Sequence, residues 1–170
     1  MHLELTTCTL RSWRTSDVDS LVACANNRAI WLNLRDRFPH PYTRRDGIDF
    51  LRSIVGVFPE TIFAMAVDDQ AVGSIGFVPQ QDVERVSAEI GYWLGESYWG
   101  RGIATEALRT LTRYAIERHG LSRLFALPFA SNLASCRVLE KAGYRLEARL
   151  HRSAIKNGEI VDQCQYSYVP

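Results

Sequence analysis

At 170 residues, with 46% hydrophobic and 23% charged side chains, the chain has the length of one domain and the make-up of a soluble globular protein, which excludes low-complexity disorder. Lys plus Arg number 20 and Asp plus Glu 19, a net charge of +1. That balance argues against a domain built chiefly to grip nucleic acid, which carries a basic excess.

In chain order, the alternation of Leu3, Leu5 and Leu10 with threonines between predicts a first strand ending near Trp13. Ser16-Asp17 offers an N-cap for a helix from Val18 to Asn26, with Leu21, Val22 and Ala25 on its apolar face. The stretch from Arg28 to Leu34 either extends that helix or opens a short second one, and Pro39-His40-Pro41 breaks it. Thr43 is a cap for a helix from Arg44 to Val55, with Ile48, Leu51 and Val55 aligned. Thr61–Val67 and Gln70–Val78 read as a hairpin around Asp68-Asp69, and Ser87–Leu94 as a third strand.

After Gly95–Gly102, a turn segment, the spacing of Ala104, Leu108, Leu111, Ala115 and Ile116 predicts a helix from Ile103 to His119, ended by Gly120. A short strand at Arg123–Leu127, a helix at Asn132–Ala142 and strands at Tyr144–Ile155 and Glu159–Val169 complete the chain. Asn157-Gly158 marks a hairpin between the last two. The order predicts a single α+β domain over residues 1–170 on a mixed sheet, with parallel strands on either side of the Ile103–His119 helix.

The four cysteines, Cys8, Cys24, Cys136 and Cys164, form no C-x-x-C pair and read as reduced thiols, not as a zinc site. No apolar run approaches the roughly 20 residues that cross a bilayer. Met1–Leu5 shows no basic stretch leading into an apolar core. The expectation is therefore a cytoplasmic protein with no metal, no membrane partner and no nucleic-acid partner.

The most informative stretch runs from Glu89-Ile90-Gly91-Tyr92-Trp93-Leu94 through Trp99-Gly100-Arg101-Gly102-Ile103-Ala104-Thr105. A strand leads into a glycine-containing loop and then a helix. Successive backbone N–H groups with the positive end of a helix cradle phosphate oxygens. Glycines at 100 and 102 let a diphosphate approach the backbone, and Arg101 adds a charge at the rim. The same glycines also suit an ordinary turn, and on the loop alone both readings stand. A P-loop needs G-x-x-x-x-G-K-[ST], which is absent. A dinucleotide loop needs Gly or Ala where Thr105 stands.

Taken with three further segments, the loop resembles the GNAT superfamily of acyl-CoA-dependent N-acetyltransferases, specifically its RimJ/RimL-like branch. The segments are Leu10-Arg11-Ser12-Trp13, Phe38-Pro39-His40-Pro41-Tyr42, and Asn132-Leu133-Ala134-Ser135 through Leu139-Glu140-Lys141-Ala142-Gly143-Tyr144. The superfamily's phosphate motif, Gln/Arg-x-x-Gly-x-Gly/Ala, falls on Trp99–Ala104, with Trp99 departing from its first position and losing one polar contact.

The resemblance implies a mostly antiparallel central sheet with one splayed parallel strand pair, flanked by helices. It implies acetyl-CoA as co-substrate, held by Tyr92, Trp93, Leu94, Trp99, Gly100, Arg101, Gly102, Ile103, Ala104, Thr105 and Asn132. It implies transfer to a primary amine by direct attack in a ternary complex. A protein N-terminal amine is the first choice of acceptor and a small-molecule amine the second. Transfer of another acyl group and a non-catalytic acyl-CoA sensor on the same scaffold remain open, as does a homodimer.

Acyl transfer from a thioester to an amine needs a neutral amine, a polarised carbonyl and a proton for the leaving thiolate. Glu89 is the candidate base, acting through a water. By alternation it shares a strand face with Ser87, Gly91 and Trp93, and a carboxylate on a mostly apolar strand suits such a role near neutral pH. The residues alone equally allow Glu89 to lie on a wet face of the sheet. By resemblance, Asn132 bonds coenzyme A and Ser135 serves the leaving sulfur; by sequence, Asn132 is also a plain N-cap and Ser135 a plain helix serine. Cys136 beside it reads as a packing residue, not a nucleophile. The resemblance puts Trp31, Phe38, His40 and Tyr42 against the acceptor, although aromatics there also serve a core. Asp162 and Tyr166 match recurring positions of the branch without an assigned role.

Overall fold

The first predicted strand is in fact two. In the computed structural model, which describes residues 1–170, β1 (His2–Glu4) and β2 (Thr9–Arg11) pair antiparallel around a turn. The alternation of apolar residues carries no mark of that turn, which Leu5 N closes on Cys8 O at 2.9 Å and a distant residue holds. The Glu106 carboxylate accepts from Thr6 N at 2.9 Å, Thr7 N at 2.9 Å and the Thr7 hydroxyl at 2.6 Å.

The remaining elements follow the predicted order. α1 (Val18–Ala25), α2 (Arg28–Trp31) and α3 (Arg44–Ile54) precede β3 (Ile62–Val67), β4 (Gln70–Pro79) and β5 (Ser87–Leu94). Then come α4 (Ile103–His119), β6 (Arg123–Ala126), α5 (Leu133–Lys141), β7 (Arg145–Lys156) and β8 (Glu159–Tyr168). One eight-stranded sheet has the order β1-β2-β3-β4-β5-β6-β8-β7. β5 and β6 pair parallel; β1–β2, β2–β3, β3–β4, β6–β8 and β7–β8 pair antiparallel. This is the mixed, mostly antiparallel α+β sheet that the sequence predicts. Contacts group the chain into two compact units, Met1–Gly76 with Tyr92–Ala107 and Phe77–Gly91 with Leu108–Pro170.

In the first unit, Trp13, Val18, Leu21, Ala25, Tyr42, Leu51, Ala64 and Ala71 form the core. Each large aliphatic side chain fully buried there contributes roughly 1.5–3 kcal/mol. Asp17 does not cap α1 forward, as its position suggests. Its carboxylate turns back to Arg14 N at 2.8 Å and takes both terminal nitrogens of Arg11 at 2.8 Å, and the Arg11–Asp17 pair is buried. Pairing is what makes a buried guanidinium tolerable. Thr43 caps α3 as predicted: its hydroxyl accepts from Asp46 N, and Asp46 Oδ2 accepts from Thr43 N at 2.7 Å. Asp68 and Asp69 both take positive φ, 50° and 62°, which makes the β3–β4 turn.

In the second unit, the parallel register runs only from Ser87↔Arg123 to Glu89↔Phe125, although β5 continues to Leu94. That register stops one residue short of the end of β6. The apolar stripe of α4 is rotated from the predicted one. Ile103, Ala107, Leu108, Leu111, Thr112 and Ala115 are buried, while Ala104 and Ile116 are only half-buried. Counting apolar letters passed over Thr112, whose burial is made affordable by bonds of its hydroxyl to Leu108 O and Tyr144 Oη, both 2.7 Å. Asn157 and Gly158, at φ 52° and 78°, close the β7–β8 hairpin.

Glu147 on β7 gathers Arg123 Nη1 at 2.7 Å, Arg123 Nη2, Ser167 Oγ at 2.6 Å and Gln165 Nε2 at 3.2 Å. The Arg123 guanidinium first, then the Ser167 hydroxyl, hold its carboxyl down to about 2. A carboxyl lowered on folding stabilises the protein above its unfolded range and loses that contribution as pH falls through the folded value. Melting temperatures measured between pH 5 and pH 2 are expected to fall less steeply for Glu147→Gln than for the wild type. Parallel curves would detach this network from acid stability.

Candidate active site

The loop after β5 is held by its own side chains, all within the first unit. Residues Glu96–Tyr98 form a 3-10 turn. Trp99 Nε1 donates to Leu94 O at 2.7 Å, tying the loop to the last residue of β5. The indole at this position thus supplies a polar anchor for the loop itself. Trp99→Phe keeps the ring and removes the N–H. Affinity for acetyl-CoA, read by calorimetry, is expected to fall about 3- to 10-fold, the net worth of one hydrogen bond. Unchanged affinity would show that the anchor does not shape the loop.

Gly100 and Gly102 have φ of +76° and +81°, a region that other residues enter at a cost. A Cβ built on either meets no atom within 4 Å, so neither glycine is required by packing, and the space above both is open. Directly after them α4 runs for 17 residues. Glu106 N donates to Gly102 O at 3.0 Å across the start of the helix. The N–H groups of Ile103, Ala104 and Thr105 belong to the first turn, where a helix offers donors and positive potential. Arg101 is exposed, with its guanidinium 5.1 Å from the centre of the Tyr98 ring. Glu106 places a carboxylate in this turn, yet three donors from Thr6 and Thr7 take its charge. Burial works against ionisation there, but those hydrogen bonds hold its carboxyl below the usual range.

The acceptor-side aromatics expected from the resemblance also come together in the first unit. Trp31, the last residue of α2, stacks on His40 with ring centres 5.6 Å apart. Phe38 lies 4.9 Å from the Tyr42 ring and 5.7 Å from the Trp93 ring, edge-on to the latter. Trp93, expected on the co-substrate, thus has its ring in the aromatic group. Tyr42 is a core residue, and burial pushes its hydroxyl up to about 12. Tyr92 and Leu94 flank Trp93, half-buried and buried respectively.

The second unit carries the other candidates. Glu89 is half-buried at the last position of the parallel register, opposite Phe125. Asn132 caps α5, its Oδ1 accepting from Ser135 N at 3.1 Å, and Ser135 is half-buried in the first turn. The segment ahead of this helix is strapped to β8 by Cys164 N to Pro128 O and Ala130 N to Asp162 O, both 2.9 Å. Cys136 is buried, and burial pushes its thiol up, away from thiolate chemistry.

Asp162 receives a role that spacing could not assign. Its carboxylate accepts from Arg152 N at 2.9 Å, Arg149 Nε at 2.9 Å and His151 Nδ1 at 3.1 Å, pinning the irregular stretch between Leu150 and Ala154. The Arg152 N–H, then Arg149, hold its carboxyl down to about 2, which makes it a poor proton acceptor near neutral pH. Tyr166 is buried and donates to Glu140 Oε1 at 2.9 Å; burial, then Glu140, push its hydroxyl up. Sequence reading missed Asn27 and Glu96, which join at 2.6 Å. An Asn directly before a short helix was the available signal for the first of them.

No group of three or more His, Cys, Asp or Glu side chains is placed to hold a metal ion. No helix is long and apolar enough to cross a membrane.

Comparison with known proteins gives a consistent family. The "Uncharacterized N-acetyltransferase YoaA" of Bacillus subtilis is 36% identical over 100 residues, 59% of this chain and 56% of its own length. The ribosomal-protein-serine acetyltransferase of Escherichia coli is 30% identical over 108 residues, 64% of this chain and 60% of its own length. The chain thus spans little more than half the length of the curated relatives it matches. By structure it resembles RimL, a ribosomal-protein alpha-N-acetyltransferase solved in complex with coenzyme A. That match has a TM-score of 0.87 at 22% identity and covers 99% of this chain and 98% of the other. The sequence profile of the Acetyltransferase (GNAT) domain matches residues 8–145, most of the chain, and the protein belongs to the GNAT acetyltransferase family.

Proposed function

We propose that the protein is an N-acetyltransferase which moves an acetyl group from acetyl-CoA to a primary amine by direct attack in a ternary complex, with residues 1–170 acting as one domain. The observation that carries this reading is the open cradle: two positive-φ glycines with free space above them, at the first turn of a 17-residue helix. Backbone N–H groups so arranged suit a diphosphate. Gly100, Gly102, Ile103, Ala104 and Thr105 would hold it, with Trp99 and Arg101 at the edge; a coenzyme contact of Asn132 rests on the resemblance alone.

In the transfer, the amine lone pair attacks the thioester carbonyl, a C–N bond forms and the C–S bond breaks. Glu89, through a water, takes the amine proton, and Ser135 supplies or relays the proton that the thiolate needs. The elevated Cys136 thiol supports a route with no covalent enzyme intermediate. For the acceptor, a protein N-terminal amine is the first choice. Two observations support it: a relative named as a ribosomal-protein-serine acetyltransferase, and the aromatic pairs Trp31–His40 and Phe38–Trp93, which suit an amine with an apolar neighbour rather than a polycation.

Free-thiol release from acetyl-CoA, assayed over peptides and small amines, tests the reading. Release that depends on peptide amines supports it, and release only with small amines moves the acceptor to that class. Tight coenzyme A binding with no amine-dependent release would make the protein an acyl-CoA sensor. Faster release from a longer acyl thioester would change the donor.

A further inference from the structure

Between α1 and α2 stand Asn26 and Asn27, and their side chains reach in different directions within the first unit. Asn26 Oδ1 accepts from Tyr42 N at 3.0 Å and so holds the end of the Phe38–Tyr42 segment. Asn27 Oδ1 accepts from Ala29 N at 2.8 Å and Ile30 N at 3.2 Å, capping α2. The same amide's Nδ2 donates to Glu96 Oε2 at 2.6 Å, inside the loop that carries Gly100 and Gly102. A bond this short to a carboxylate is charge-assisted and stronger than a neutral one. Close packing accompanies it, since a Cβ on Gly95 would lie 3.0 Å from Cys24 Sγ of α1.

We infer that Asn27 is a positioning residue that couples occupancy of the glycine loop to the order of α2, and so readies the acceptor-side aromatics once acetyl-CoA is bound. α2 has four residues, too few to hold a helix without outside anchorage. Its start depends on the Asn27 cap, and its end is Trp31, which stacks on His40. Gly100 and Gly102 sit at positive φ with open space above them, so a ligand can engage the loop backbone there. Fixing that loop fixes Glu96, which fixes the amide that caps α2. Asn27 makes both bonds with one planar group, so they cannot move independently. The inference rests on the coenzyme reading of the loop.

Substitutions separate the link from the cap. Asn27→Asp retains a carboxylate oxygen as cap but removes the donor to Glu96 and sets two like charges together. Glu96→Ala breaks the link from the exposed side and leaves the cap intact, which covers the case in which Asn27→Asp fails to fold. In the double variant Asn27→Asp/Glu96→Gln, the new amide at 96 donates to the new carboxylate at 27, restoring the bond with its polarity reversed.

Amide hydrogen exchange by mass spectrometry, with and without saturating acetyl-CoA, is read for peptides spanning 95–105 and 27–34. In the wild type, acetyl-CoA is expected to slow exchange in both by about 3- to 10-fold, the worth of one hydrogen bond. In Asn27→Asp and in Glu96→Ala, peptide 95–105 keeps its slowing while 27–34 loses it, and the double variant regains it. A purely structural role would instead change 27–34 equally with and without acetyl-CoA. Slowing of 95–105 without 27–34 in the wild type, or persistence of the 27–34 response in both single variants, overturns the coupling and spares the coenzyme reading. No slowing of 95–105 in the wild type overturns both.

Discussion

Glu89→Gln is expected to lower kcat/KM for the acceptor by about 10²–10⁴, the usual worth of a general base. The substitution keeps the size and hydrogen-bonding reach of the side chain and removes its capacity to take a proton. Glu89 sits half-buried at the last paired position of the parallel register. Affinity for acetyl-CoA should barely change, because the loop that would bind the diphosphate begins several residues later along the chain. The acidic limb of the pH–rate profile should move or vanish. A variant that keeps near-full rate and the same acidic limb would mean that the proton leaves by another route. Asp162 is a weak replacement, since Arg152 N–H and Arg149 hold its carboxylate strongly ionised and occupied. The remaining alternative is an amine that arrives already neutral.

Gly102→Asp is expected to cost about 3 kcal/mol of acetyl-CoA affinity, at least about 100-fold in Kd, by placing a negative charge where the diphosphate would lie. The backbone there, at φ +81°, also strains any side chain by roughly 1–2 kcal/mol. Gly102→Asn supplies the control: nearly the same shape, better tolerance of positive φ and no charge. Because a Cβ at this position meets nothing within 4 Å, neither variant clashes with the fold itself. Calorimetry with acetyl-CoA should rank wild type above Gly102→Asn and both well above Gly102→Asp, while melting temperatures of the two variants stay close. Equal affinity for all three proteins would remove the loop from the binding site.

Local chemistry made most of the elements legible. Thr43 with Asp46 marked the start of α3, Asn157-Gly158 the last hairpin, and α4 begins at Ile103 and ends at His119 as its spacing and Gly120 predict. These signals act between residues a few positions apart, so the chain order records them directly. The same holds for the candidate site. Glycines at 100 and 102 before a helix, and Asn132 with Ser135, were readable because a loop cradle and an N-cap are local devices.

Where the reading departed from the structure, a side-chain partner that no periodicity marks was responsible. Glu106 splits the first strand by binding Thr6 and Thr7, about a hundred residues earlier. Arg11 draws Asp17 back from the cap of α1, and Tyr144 draws Thr112 into the apolar face of α4. Asp162 acquires its purpose only when Arg149, His151 and Arg152 fold around it. The sequence by itself determined most of the elements, the mixed sheet and the glycine loop, because each is written in short-range spacing, and its motifs together carried the resemblance to the family. Only the tertiary structure decided that Trp99 anchors that loop to Leu94, that the Trp93 ring belongs with Phe38, and that Asn27 joins Glu96 to α2. A polar side chain takes its partner from whatever the fold brings within 3 Å, and no periodicity along the chain encodes that choice.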